Sequence, residues 1–154
     1  MYIITTSRKP SRKTRRFTKA IARFFNWKYV NRGKMSIESL KSISEDFWIV
    51  SEVKGNPAIL VLYKDGTEHL RIGFTVSNIE KIKMDTTPPV FLGRAPLDPL
   101  IFGALPQSKA GLKLARKVDF PKKIVVKGNV LQFFYQDILI FTMKLLYIKF
   151  QKPH

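Results

Sequence analysis

Eleven Lys or Arg residues precede the first carboxylate of this chain, Glu38. They are Arg8, Lys9, Arg12, Lys13, Arg15, Arg16, Lys19, Arg23, Lys28, Arg32 and Lys34. At about 100° per residue, Arg12, Arg15, Arg16, Lys19 and Arg23 project within roughly a 100° sector of a helix. Phe17, Ile21, Phe24 and Phe25 project on the opposite side. One face can then dock on a core while the other points cations outward. A row of cations without carboxylates repels itself unless a polyanion neutralises it, and nucleic acid is the commonest such partner. The chemistry on offer is phosphate binding.

Residue types for bond-making are scarce. There is no Cys, hence no thiolate metal site, Cys nucleophile or disulfide framework. The two His are His69, in a strand-like segment, and the terminal His154, and two such residues make neither a metal site nor a triad. No G-x-x-x-x-G-K-[ST] or G-x-G-x-x-G phosphate loop occurs. Glu38, Glu45, Asp46 and Glu52 fall on a helix and its edge and read as solvated surface charges. The expectation is a binding protein with no catalytic residues, metal or cofactor.

The charge is unevenly spread along 154 residues with a net charge of +17. Residues 1–34 carry 11 Lys/Arg and no Asp/Glu; residues 35–105 carry 7 against 9; residues 106–154 carry 10 against 2. A near-neutral scaffold is therefore flanked by basic elements. Surface cations held in ion-pair networks would need Glu at i±3 or i±4, and none exists within residues 1–37. In the second basic region, Lys109, Lys113, Arg116, Lys117, Lys122 and Lys123, the only acid is Asp119. Phe17, Phe24, Phe25, Phe74, Phe133, Phe134 and Tyr135 fall mostly on core faces, which favours packing over base stacking.

The elements that must position these cations alternate between helix and strand. Tyr2–Thr6 reads as a strand. Ser11 after Pro10 is the N-cap of a helix running to about Phe25. An acid-free amphipathic helix near residue 1 also describes a transit peptide, but the preceding strand points to a folded element. Trp27–Val30 is a short strand, Asn31-Arg32-Gly33-Lys34 a polar loop, and Ser36 caps a helix with Ile37, Leu40 and Ile43 on one face. Strands follow at Trp48–Val53 and Ala58–Tyr63, the latter apolar throughout as if buried on both sides. Lys54–Pro57 is the turn between them, and Asp65-Gly66 marks a hairpin. Leu70, Ile72, Phe74 and Val76 alternate as in a half-buried strand. The Pro-rich stretch 84–106 holds a strand at Val90–Leu92 and a helical piece near Leu97–Leu105. A basic helix over Ser108–Val118 and strands at Lys122–Lys127, Val130–Tyr135 and Ile138–Phe150 complete the chain. A strand–helix–strand unit pairs its strands in parallel, so Arg8-Lys9 and Asn31-Arg32 should emerge at one carboxyl edge of the sheet.

The order of elements repeats. Strand, Arg8-Lys9-Pro10 and helix match strand, Arg94-Ala95-Pro96 and helix; Val53-Lys54-Gly55-Asn56 matches Val126-Lys127-Gly128-Asn129. The expected fold is α/β, a single domain over 1–154 built from half-repeats of about 1–85 and 86–154.

Thr5-Thr6-Ser7-Arg8-Lys9-Pro10-Ser11, the basic helix and then Asn31-Arg32-Gly33-Lys34 resemble the opening of Brix-domain proteins. Gly73-Phe74-Thr75-Val76-Ser77-Asn78, Gly128-Asn129 through Phe134, and Phe141-Thr142-Met143-Lys144-Leu145 with Ile148 are similar to later strands of that family. Here Ile72-Gly73-Phe74 stands where Gly-Pro-Thr is often found. The short span is like that of the archaeal members. The resemblance implies two similar halves with mixed β-sheets and flanking helices, each related to the anticodon-binding domain of class IIa aminoacyl-tRNA synthetases. It implies a cytoplasmic ribosome-biogenesis factor that binds ribosomal RNA or its precursor and assists rRNA processing and subunit assembly. Its RNA-facing candidates are Arg8, Lys9, Arg12, Lys13, Arg15, Arg16, Lys19, Arg23, Asn31, Arg32 and Lys34. Ribosomal or assembly proteins are further partners, and no membrane or small-molecule substrate is expected. A DNA- or chromatin-binding protein and an adaptor for an acidic protein share the same charge and remain as alternatives.

Overall fold

The computed structural model describes residues 2–151 and forms one mixed sheet of nine strands. His154 lies outside the described residues. The elements are β1 (Ile3–Thr6), α1 (Arg12–Phe25), β2 (Lys28–Tyr29), α2 (Ile37–Ile43), β3 (Asp46–Val53), β4 (Asn56–Lys64) and β5 (Thr67–Ser77). After them come β6 (Val90–Leu92), a 3-10 turn (Pro99–Phe102), α3 (Lys109–Lys117), β7 (Lys122–Lys127), β8 (Val130–Tyr135) and β9 (Ile138–Phe150). The spatial order is β2-β1-β3-β4-β5-β9-β8-β7-β6.

β1 is a run of two Ile and two Thr, all buried, lying between parallel partners β2 and β3. Branched side chains suit a strand covered on both faces. β3, β4 and β5 then form an antiparallel meander. The second half runs in the same order, with β6 parallel to β7 and β7, β8 and β9 antiparallel, but among the described residues it has no counterpart of β2. Asp65-Gly66 turns β4 into β5 with both residues at positive φ, 51° and 75°, as the twist of a tight hairpin requires. The turn between β3 and β4 is shorter than expected, because Asn56 and Pro57 already pair with β3.

The halves do not keep separate sheets. β5 pairs antiparallel with β9 from Leu70–Phe150 to Ser77–Thr142. Each of these strands would otherwise be a long free edge, and pairing satisfies both rows of backbone groups.

The larger core lies between the sheet and α1. There Phe17, Ile21 and Phe24 pack on Leu60, Ile72, Phe74, Phe133 and Phe141. A stack of Phe25, Trp27, Trp48 and Phe102 ties the 3-10 turn to α1 and β3, with neighbouring ring centroids about 5 Å apart. On the opposite sheet face Leu40 of α2 covers Ile3, Phe47 and Ile49. Ile43, assigned to the same helix face, is 54% exposed. Past α2 that face is open, with Thr75, Lys144, Leu146, Tyr147 and Lys149 at the surface.

Candidate nucleic-acid interface

α1 is held at both ends. Ser11 caps it by accepting from the Thr14 N–H at 3.1 Å, and its hydroxyl donates to the Gly55 carbonyl at 2.7 Å. Glu52 is not a free surface charge. Its carboxylate accepts from the Ser11 N–H at 3.0 Å and from the Thr14 hydroxyl, and these hydrogen bonds hold its pKa below the usual range. A carboxylate here complements the positive end of the helix dipole. At the other end Asn26 adopts left-handed φ and bonds back to the Ala22 carbonyl. Lys122 reaches in from β7 and donates to the Arg23 carbonyl at 3.1 Å and to Asn26 Oδ1 at 2.8 Å. Lys122, expected in the second basic surface, is thus wholly buried. Burial pushes its pKa down to about 8, with Asp85 pulling upward.

With both ends fixed and Phe17, Ile21, Phe24 and Phe25 in the core, the outer face of α1 is determined. Arg12, Lys13, Arg15, Arg16 and Lys19 are exposed. Arg12, Arg15, Arg16, Lys19 and Arg23 line one side of an open groove of about 580 Å³, whose other side is Tyr29, Asn31 and Lys81. No carboxylate among the described residues lines it. The line from Arg12 to Arg23 spans about 16 Å at the helical rise. Lys19 places its ammonium 5.4 Å from the centre of the Tyr29 ring. Burial raises the Tyr29 pKa and Arg15 opposes it. Arg23 is half-buried, its pKa is lowered by burial, and its Nε has no hydrogen-bond partner among the described residues. Lys13 turns toward β4 and donates to Asn56 Oδ1 at 2.9 Å.

The three ion pairs among the described residues are Lys41–Asp65, Arg71–Glu68 and Lys123–Asp119, and none touches the stripe. An unpaired cationic wall over a rigid helix can bind consecutive phosphates without first breaking internal salt bridges.

The loops at the carboxyl ends of β1 and β2 meet, as parallel pairing requires. Arg8 and Lys9 are exposed after β1, and Asn31, Gly33 and Lys34 after β2. Arg32 differs from the rest. It is 7% exposed, with Nε donating to the Met35 carbonyl at 2.7 Å and Nη1 to the Thr6 carbonyl at 3.0 Å. Burial, and then Arg8, lowers its pKa. Its guanidinium clasps the two loops together.

Sequence reasoning missed Tyr29 and Lys81. Lys81 lies in a connection without periodicity, whose path is set by distant bonds from Glu80 N–H to the Ile140 carbonyl and from Asn26 to the Thr87 carbonyl. In the second basic region Lys109, Lys113, Arg116 and Lys117 are exposed on α3, while Lys123 pairs with Asp119. Among the described residues no three His, Cys, Asp or Glu gather into a possible metal site. No helix among them is long and apolar enough to cross a membrane.

No protein-family model matches the chain. A "Probable Brix domain-containing ribosomal biogenesis protein" of Archaeoglobus fulgidus is 64% identical over 148 residues, covering 96% of this chain and 97% of the relative. A protein of the same name from Methanococcoides burtonii is 30% identical over 154 residues, covering 93% of each. The crystal structure of Mil (Mth680), an archaeal Imp4-like protein, superposes with a TM-score of 0.65 at 25% identity, covering 97% of this chain and 99% of that one. The probable ribosomal biogenesis protein from Aeropyrum pernix K1 shares the fold at a TM-score of 0.57 and 18% identity. With near-full-length identity to these relatives, the chain belongs to the Brix domain-containing ribosomal biogenesis proteins.

Proposed function

We propose that this protein is a cytoplasmic ribosome-biogenesis factor that binds ribosomal RNA or its precursor and assists rRNA processing and subunit assembly, without catalysing a reaction itself. The observation that carries this reading is the cationic wall of α1, Arg12, Arg15, Arg16 and Lys19, facing a groove that no carboxylate among the described residues lines. Arg8, Lys9, Asn31 and Lys34 extend the same surface at the carboxyl edge of β1 and β2. Arg23 contributes from its base, and Arg32 serves by fixing the loop. The side chains are of phosphate-contacting type, and the helix offers few groups for reading base edges, which favours an RNA shape reader over a sequence-specific DNA binder. The names of the relatives support the same role. The working unit is one domain of two half-repeats, about 1–85 and 86–154, and the matching order of strand pairings supports that division; the likeness of each half to an anticodon-binding domain of class IIa synthetases rests on the family resemblance alone.

Ultraviolet crosslinking in cells, followed by sequencing of the bound RNA, tests the proposal. Reads concentrated on ribosomal RNA or its spacers are expected. Crosslinks confined to DNA, or an acidic protein retained after nuclease digestion in place of RNA, would contradict it.

A further inference from the structure

On the sheet face away from α1, the β5–β9 register sets Arg71 against Lys149, Gly73 against Tyr147 and Thr75 against Lys144. Ile72, Phe74, Met143, Leu145 and Ile148 face the core, so strand alternation sends the other set outward. Leu146 sits in the bulge between Leu145 and Tyr147 and is 60% exposed.

Tyr147 lies flat on this surface. A Cβ on Gly73 would fall 2.1 Å from Tyr147 Cε2, 2.5 Å from Cδ2 and 2.6 Å from Cζ. Near-equal distances to both neighbours of Cε2, only slightly longer than that to Cε2, put this point above the ring face and not beyond its edge. The ring therefore rests face down on the β5 backbone, in space that only glycine leaves free. Its other face looks outward, and the residue is 44% exposed.

The surroundings are cationic. Lys144 and Lys149 are exposed on the same side of β9, about 10 Å and about 7 Å from Tyr147 at the rise of a strand. Lys13 borders the groove of about 520 Å³ that Tyr147 lines with Val53, Ile59 and Thr75. No carboxylate among the described residues lines that groove. Glu68 nearby is already bound to Arg71, at 2.5 and 3.3 Å, and to Gln151 at 2.6 Å. Arg12 lines the α1 groove and its neighbour Lys13 lines this one, so adjacent residues of one helix border both surfaces.

We propose that the open face of β5 and β9 binds single-stranded RNA by stacking an unpaired base on Tyr147, with Lys144, Lys149 and Lys13 on the flanking phosphates. A fixed aromatic ring with cations on both sides is the arrangement that holds single strands whatever their sequence, because every base has a π-face. Paired bases inside a duplex offer no such face. The proposal rests on the RNA-binding reading above and adds to it a preference for unpaired nucleotides.

The probe is a short single-stranded RNA carrying one 2-aminopurine, with an RNA hairpin stem as the comparison ligand. Tyr147→Phe keeps the ring, and Tyr147→Leu keeps apolar cover over Gly73 without a π-face. Wild type and Tyr147→Phe should quench the fluorophore and bind alike. Tyr147→Leu should lose the quenching and bind the single strand about tenfold or more weakly, with stem affinity and melting temperature unchanged. Equal binding and quenching by Tyr147→Leu, while the stem still binds in a salt-dependent way, overturns this proposal alone. Failure of wild type to bind either RNA removes the earlier reading with it. If Tyr147→Leu weakens binding of polyglutamate and not of RNA, the face belongs to an acidic polypeptide and the proposal also falls.

Discussion

Arg32 and Lys34 stand two residues apart in one loop and act differently. Arg32 bonds to carbonyls of Thr6 and Met35, whereas Lys34 is exposed. Arg32→Ala leaves both carbonyls without these partners and should cost ~1–3 kcal/mol of stability. Lys34→Ala should leave the melting temperature unchanged and weaken RNA binding. Thermal unfolding and RNA titration of both variants check this; an Arg32→Ala protein of normal stability with reduced affinity would put its guanidinium on the RNA side. Sequence could not separate the two residues, because the Thr6 carbonyl that distinguishes them lies 26 positions away. Lys122 shows the same limit. It reads as one cation in a basic cluster, yet its partners are 96 and 99 positions distant and its side chain is buried. Its folded pKa of about 8 lies below the ordinary lysine value near 10.4. Between those values the unfolded chain binds more protons, so this group makes the fold more stable as pH rises through the window, while its buried charge costs most below about pH 8. Lys122→Met removes that titration. The stability of wild type relative to the variant should therefore rise between about pH 8 and about pH 10, read from denaturant midpoints; a constant difference would contradict the burial of a titrating ammonium.

At the scale of elements, α1 was legible because its information is local. The apolar and cationic stripes follow the helical period, and the Ser11 cap bonds only three residues ahead. Strand limits at β6, β7, β8 and β9 agree with those read from alternation and turn residues. Glu52 was not legible, since its bond to Ser11 joins positions 41 apart. The two faces of α1 predict separable effects. Replacing Arg12, Arg15, Arg16 and Lys19 together by Gln should weaken RNA binding and leave folding intact or slightly improved, as self-repulsion falls. Phe17→Ala should instead cost ~2–5 kcal/mol, because Phe17 is fully buried and packs 5.3 Å from the rings of both Phe74 and Phe141. Circular dichroism melts with parallel RNA titrations distinguish the two; a Gln variant that unfolds would mean the stripe is structural.

Across the whole molecule, the β5–β9 pairing joins the two halves. The repeated order of elements could be read from the chain, but nothing local says that the last strands of the halves meet, so separate sheets were expected where one exists. That join leaves α1 across one face and Tyr147 on the other. The central claim is that unpaired cations of α1 and its adjoining loops hold RNA phosphates, and counterion release measures it most directly. Affinity for structured ribosomal RNA should fall with salt at a log–log slope of about −0.7 to −0.9 per phosphate contact, or roughly −3.5 to −4.5 for five contacts. The Gln variant of Arg12, Arg15, Arg16 and Lys19 should flatten that slope by roughly the same increment for each cation removed. An affinity independent of salt, or a slope the Gln variant leaves unchanged, would contradict the account.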